Sequence, residues 1–324
     1  MPSSTPAAST GSAAPDSAAR TATGAPRAGG AGRLGGRTVS RIGFGAMQLP
    51  RLGEDRAAAA GILRRAVELG IDHIDTAYFY GDGYSNALIR EAIRPEDDVL
   101  VVTKVGATPD NSGGPHPLRL AQRPEELRTA VDDNLASLGL EQLPLVNLRR
   151  AARAPGLIAE GDQVVDLDDQ LAVMTALRDE GKIAAIGISH VDADDLRRAV
   201  PAGLACVQNA YSLVARDDEK MLDICVSEGI AWVPYFPLGS AFPGMPKVTD
   251  EPAVIAAATS AGVTPAQAGL AWLLHHAPNV LLIPGTADAG HLAANVAAGA
   301  VRFDPATLAA LDAVPTRSGE IETH

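Results

Sequence analysis

GIDHID (70–75) and VLVVTK (99–104) are two short strand-like runs, the second continuously apolar up to its end, and each ends on a charged residue, Asp75 or Lys104. A strand with one wet face alternates apolar and polar residues. Strands without alternation are buried on both faces, as in a parallel sheet. Six more runs share this character: 41–46 (RIGFGA), 144–149 (PLVNLR), 183–188 (IAAIGI), 205–208 (ACVQ), 230–235 (IAWVPY) and 280–283 (VLLI). Helical patterns separate them. Leu127, Val131, Leu135 and Leu138 recur at helical spacing in 125–138, and Ile62, Leu63, Ala66 and Val67 form one face of 57–69. Thr264, Pro265 and Gln267 suit the N-cap, first turn and capping-box partner of a helix over 265–275. Eight strand–helix units in succession predict an α/β fold, a (β/α)8 TIM barrel. A doubly wound sheet is the runner-up. It calls for GxGxxG after the first strand, and GFGAMQ (43–48) lacks the third glycine. Residues 32–40 (GRLGGRTVS) read as a small hairpin ahead of the first barrel strand.

Composition bounds the rest. The chain has 324 residues, 46% of them hydrophobic, which suits one large domain. Residues 1–31 are mostly Ala, Ser, Thr, Gly and Pro, so a disordered tail is expected there, with the barrel domain over 32–324. Arginine and serine with little acid also suit a transit peptide. With only four lysines in the whole chain, at 104, 182, 220 and 247, a general arginine bias explains the tail better. A net charge of −12 argues against electrostatic binding to nucleic acid or an anionic membrane. No apolar run reaches the ~20 residues that span a bilayer. Cys206 and Cys225 fall in a strand and a helix without metal-ligand or CxxC spacing, and read as reduced core residues of a cytoplasmic protein. No histidine shows metal-ligand spacing with Cys or acids, so no metal is expected.

If Asp75 and Lys104 end successive strands, Tyr80 on the loop after the first can join them at one end of the barrel. An ammonium beside a phenol stabilises the phenolate and lowers its pKa, and a carboxylate holds the ammonium in place. The trio suits acid–base work on a carbonyl or alcohol, with a tyrosine able to give up a proton near neutral pH. It suits equally well a structural Asp–Lys ion pair beside a loop tyrosine. The long connections 105–124 and 236–252 follow the third and seventh strands and overhang the same end.

Six blocks in order, GIDHIDTAYFYG, VVTK, GKIAAIGIS, VQNAYS, VPYFPLGS and LLIPGT with HLAANV, resemble the aldo-keto reductase family over residues 33–314. The resemblance implies a barrel that binds NADPH, with NADH not excluded, and transfers hydride to an aldehyde or ketone. Tyr80 then matches the proton donor, and Lys104 and Asp75 the pair that tunes it. Ser189 and Gln208 match residues that hydrogen-bond the nicotinamide carboxamide. Tyr235 matches the aromatic that stacks on its ring. Leu238 and Ser240 sit in the block that meets the pyrophosphate. Pro284, Gly285 and Thr286, with His291 and Asn295, match the segment around the adenosine ribose and its 2′-phosphate.

Three features depart from the family pattern. Arg149 stands in LPLVNLRRA where an active-site histidine is usual, and is counted with the catalytic residues. His190 replaces an asparagine after Ser189, and is counted with the cofactor residues. Gly285 and His291 stand where lysine and arginine often clamp the 2′-phosphate. The VNLR, VQNAYS and PYFPLG blocks are similar to a bacterial branch that includes pyridoxal reductases, which implies pyridoxal as the carbonyl. A non-catalytic, NADPH-sensing regulatory barrel is the alternative.

Overall fold

The computed structural model describes residues 19–113, 116–153, 156–239 and 246–317. The expected small hairpin is strands β1 (Ala31–Leu34) and β2 (Arg37–Ser40), paired antiparallel across Gly35 and Gly36. The chain then alternates. Strand β3 (Phe44–Gly45) leads to helix α1 (Arg56–Glu68), β4 (His73–Asp75) to α2 (Tyr84–Ala92), and β5 (Leu100–Val105) to a second hairpin of β6 (Ala107–Pro109) and β7 (Leu118–Leu120), then α3 (Pro124–Leu138). Next come β8 (Leu145–Arg149) and α4 (Leu167–Asp179), β9 (Ile186–Ser189) and α5 (Ala193–Ala199), β10 (Leu204–Gln208) and α6 (Glu219–Glu228), and β11 (Ala231–Trp232). Helices α7 (Pro252–Ala261), α8 (Pro265–His276), α9 (Ala289–Ala297) and α10 (Pro305–Asp312) complete the chain.

Seven strands form one parallel sheet in the order β11-β10-β9-β8-β5-β4-β3. This differs from the eight ladders expected. The run 280–283 forms single parallel bridges instead, Val280 to Trp232 and Leu282 to Ile42. Pro278 and Pro284 lack an N–H and bracket this run, so few residues are left to pair. Pro234 likewise cuts the ladder of β11 short of the expected 230–235.

The sheet has two apolar faces. On β5, Val101 and Val105 point one way and join Leu127 and Val131 of α3 in the larger core, together with Ile62 and Leu63 of α1. Leu100 and Val102 point the other way, into a smaller cluster with Leu145, Cys206, Ala231 and Leu281. The hairpin adds Leu34 and Val39 to that cluster, so β1 and β2 cover the strands' N-terminal ends. Lys104 shares the period-2 face of Leu100 and Val102 and emerges at the opposite, C-terminal end. Helix α8 starts as expected, with reciprocal hydrogen bonds between Thr264 and Gln267. Cys206 and Cys225 are buried and free. Among the described residues no helix is long and apolar enough to cross a membrane.

The expectation of an unpacked tail through residue 31 needs correction. Residues 19–31 lie against the fold: Ala28 is buried, its N–H bonds the carbonyl of Gly70 at 3.1 Å, and Arg27 pairs with buried Asp72. A Cβ on Gly70 would stand 1.9 Å from the Pro26 carbonyl oxygen, so only glycine admits this crossing. The anchor is polar and of long range, which composition alone does not reveal. Residues 1–18 fall outside the described residues.

Candidate active site

Strands β4 and β5 are neighbours with Asp75 opposite Val102, which sets Asp75 and Lys104 side by side at the sheet's C-terminal edge. The Lys104 ammonium bonds Asp75 Oδ1 and also donates to the Thr76 carbonyl at 3.1 Å. Its Nζ lies 5.0 Å from the centroid of the Tyr80 ring, so the trio expected from the sequence is assembled. Asp75 and Lys104 are buried and Tyr80 is half-buried. An unpaired buried charge would cost several kcal/mol, and the pair offsets that cost.

The electrostatics differ from expectation. Burial raises the Tyr80 phenol pKa, Lys104 lowers it, Asp75 raises it, and the net direction is up. Burial lowers Lys104, but Asp75 and Tyr80 together carry it above its ordinary value. The resting site therefore holds a protonated phenol beside a protonated amine. Loss of a Tyr80 proton near neutral pH, inferred from Lys104 alone, left out the desolvation that the fold imposes. Lys104 instead limits the rise.

Asp75 also reaches the next group. The Gln208 side chain donates to Asp75 Oδ2 at 2.7 Å, and Gln208 Oε1 is buried without a partner among the described residues. Ser189 lies beside Gln208 in the β9–β10 register and is buried. An orphaned buried acceptor next to a hydroxyl suits a primary amide, the chemistry of a nicotinamide carboxamide. Tyr235 follows β11 and bridges Ala210. Its ring packs edge-on to Phe236 at 5.0 Å, and burial pushes its phenol up to about 12.

Arg149 ends β8 in register with Ser189. Its Nη1 is buried with no partner, and it makes no ion pair among the described residues. Tyr235 and Tyr80 are the phenols close enough to act on its charge, while burial lowers its pKa. The neighbouring Arg150 does the structural pairing, bonding the Val165 carbonyl at 3.0 Å and facing Asp195 at 3.6 Å. A cation without a counter-ion thus stands on the same side as Tyr80.

His190 departs from its expected role. It is buried, but Nδ1 lies 2.9 Å from the Tyr235 hydroxyl and Nε2 2.6 Å from the Arg153 carbonyl, so neither nitrogen is free for a cofactor. Arg153, Asn209 and Asp218 are part of this network and were not singled out from the sequence. Asn209 bonds Asp218 at 2.7 Å, and Arg153 bonds Asp218 at 3.0 Å. Only Asn209, polar and directly after a strand end, carried a signal. The 284–295 segment opens α9. Asp288 caps it through the His291 N–H at 2.7 Å, Thr286 is buried and His291 is exposed. Gly285 and Gly45 approach so closely that a Cβ on Gly285 would stand 2.5 Å from the Gly45 oxygen. Leu238 is half-buried against Gly269 of α8. Ser240 falls outside the described residues.

Comparisons with known proteins identify the family. The sequence profile of the Aldo/keto reductase family matches residues 41–315. Pyridoxine 4-dehydrogenase of Escherichia coli K12 is 40% identical over 288 residues, 87% of this chain and 96% of that protein. An uncharacterised oxidoreductase of Schizosaccharomyces pombe is 34% identical, over 86% of this chain and 88% of its own. The fold superposes on an aldo-keto reductase from Klebsiella pneumoniae in complex with NADPH, with a TM-score of 0.72 and 27% identity over 89% of this chain and 96% of that one. With its parallel sheet, its Asp75–Lys104–Tyr80 cluster and these matches, the chain belongs to the aldo/keto reductase family and is an oxidoreductase.

Proposed function

We propose that the protein is an NADPH-dependent reductase of a small aldehyde, with pyridoxal as its substrate. The observation that carries this reading is the Arg149 guanidinium, without an ion-pair partner among the described residues, on the same side of the sheet as the Asp75–Lys104–Tyr80 cluster. The match to pyridoxine 4-dehydrogenase supports the same substrate. Bound NADPH supplies the hydride that reduces the carbonyl carbon. Tyr80 donates the proton to the carbonyl oxygen from its hydroxyl. Lys104 stabilises the phenolate left behind, and Asp75 holds Lys104 in place. Arg149 donates hydrogen bonds but cannot trade its proton near neutral pH, so it orients an acceptor on the substrate, such as the ring hydroxyl of pyridoxal, and is no proton relay.

Gln208 and Ser189 would hold the carboxamide, Tyr235 would face the nicotinamide ring, and the 284–295 segment would take the adenosine end. An exposed His291 and a glycine at 285 offer little charge to a 2′-phosphate, so the preference over NADH is modest. The reading includes sheet closure into an eight-stranded barrel through 280–283, supported by its bridges to Trp232 and Ile42, within one domain. The intact Asp75, Tyr80 and Lys104 favour an enzyme over a non-catalytic regulatory barrel. An NADPH-consumption screen over aldehydes and ketones tests the proposal. Pyridoxal should give the highest kcat/KM of the panel, and no turnover with any carbonyl would refute it.

A further inference from the structure

Tyr235 and His190 meet at 2.9 Å, and the second ring nitrogen of His190 lies 2.6 Å from the Arg153 carbonyl oxygen. A carbonyl oxygen only accepts, so Nε2 carries the hydrogen. Nδ1 is then a bare lone pair, and the Tyr235 hydroxyl donates to it. Burial holds the ring neutral, its pKa down to about 4. The ring is fixed at both ends. The His190 backbone sits in the left-handed region at a φ of 61°, tied to the Gln208 carbonyl through its N–H at 3.0 Å. The Arg153 side chain is held by Asp218 at 3.0 Å and by the Val191 carbonyl at 2.7 Å.

We propose that His190 is a positioning residue for hydride transfer, one that sets the rotation of the Tyr235 ring and takes no part in gripping the carboxamide. The inference rests on the reading of Tyr235 as the surface under the nicotinamide. A phenol pivots about its Cβ–Cγ bond, and an acceptor fixed beyond its hydroxyl selects one direction for the ring. The acceptor here is itself pinned by a loop that follows Arg149. The substrate side of the site thereby helps to orient the cofactor side. Without Nδ1 the hydroxyl hydrogen loses its acceptor, the Ala210 backbone that bonds its oxygen is what remains to hold it, and the ring shifts toward that partner.

The test is a double-mutant cycle of His190→Leu and Tyr235→Phe, read by turnover, by the primary isotope effect with 4-deuterated NADPH and by NADPH affinity from fluorescence. Each single variant should lose about 10-fold in kcat, with a larger isotope effect and NADPH affinity changed less than about threefold. The double variant should be no worse than either single one. In the cofactor-free protein, imidazole nitrogen NMR should show the Nε2–H tautomer at His190, with the Nδ1 resonance shifted by Tyr235→Phe. That variant deletes one hydroxyl and keeps the test available if His190→Leu fails to fold. Additive losses, unchanged kinetics in Tyr235→Phe, or an unmoved Nδ1 resonance would overturn the proposal. Failure of the unaltered protein to bind NADPH would overturn the functional reading itself, and this inference with it.

Discussion

Gln208 donates its side-chain amide hydrogen to Asp75 Oδ2 at 2.7 Å, although the two residues are 133 positions apart. One carboxylate therefore serves both halves of the site. Oδ1 holds the lysine beside the Tyr80 ring, and Oδ2 orients the glutamine, whose oxygen has no partner among the described residues. A single substitution at Asp75 should disturb catalysis and cofactor binding together.

Lys104→Met and Asp75→Asn separate these roles. Lys104→Met removes the cation that limits the rise of the Tyr80 pKa, so reduction should slow and the alkaline limb of the pH–rate profile should move higher. It also strands a buried carboxylate, which costs about 3–5 kcal/mol in urea unfolding. Asp75→Asn should act on rate in the same direction, more mildly, and should also weaken NADPH binding. Unchanged rates and pH profiles in both variants would leave the pair a structural one.

Arg149→His places the family's usual residue at the end of β8. General aldehyde reduction should persist while the preference for pyridoxal falls by about 10-fold, near 1.4 kcal/mol, consistent with loss of one charge-assisted hydrogen bond. Steady-state kcat/KM over the aldehyde panel measures this. Identical relative rates in Arg149→His, Arg149→Ala and the unaltered enzyme would remove Arg149 from substrate choice.

The sheet, and the place of Asp75 and Lys104 at its C-terminal edge, were legible in the sequence because the signals are local: apolar runs, two of which end on those charges. The capping box at Thr264–Gln267 is local too. What was not legible depends on contacts between distant segments. His190 was assigned to the cofactor from its position after Ser189, yet its partners are Arg153 and Tyr235, from two other strand ends. The Tyr80 pKa was inferred from one neighbour, and burial by the whole fold reversed the direction. Residues 19–31 have no apolar period, but Arg27 finds Asp72 and Ala28 finds a hollow beside Gly70.

That packing separates two truncations. Deleting 1–18 should leave Tm and turnover unchanged, since that segment is poor in large apolar residues. Deleting 1–30 strips Asp72 of its cation and should lower Tm by about 5 °C in a thermal melt. Equal melting temperatures for both would mean that the Arg27 and Ala28 contacts add nothing.

His73 should make the protein sensitive to acid. It is fully buried, neither ring nitrogen has a partner among the described residues, and burial holds its pKa down to about 4 against an ordinary 6.5. The unfolded chain binds this proton first, so the stability contribution is complete above about pH 6.5 and is lost as pH falls toward 4, by up to about 3 kcal/mol. His73→Leu should flatten that slope in urea unfolding between pH 7 and 4.5. An unchanged slope would assign the acid sensitivity elsewhere, with His190 the next candidate.

The most direct test of the catalytic account is Tyr80→Phe, which keeps the ring and removes the proton. Pre-steady-state reduction of pyridoxal by NADPH should slow by about 10²-fold or more, while NADPH affinity in the same preparation changes less than about twofold. A Tyr80→Phe enzyme that reduces pyridoxal within a fewfold of the unaltered rate would contradict the account, because the proton would then come from another group.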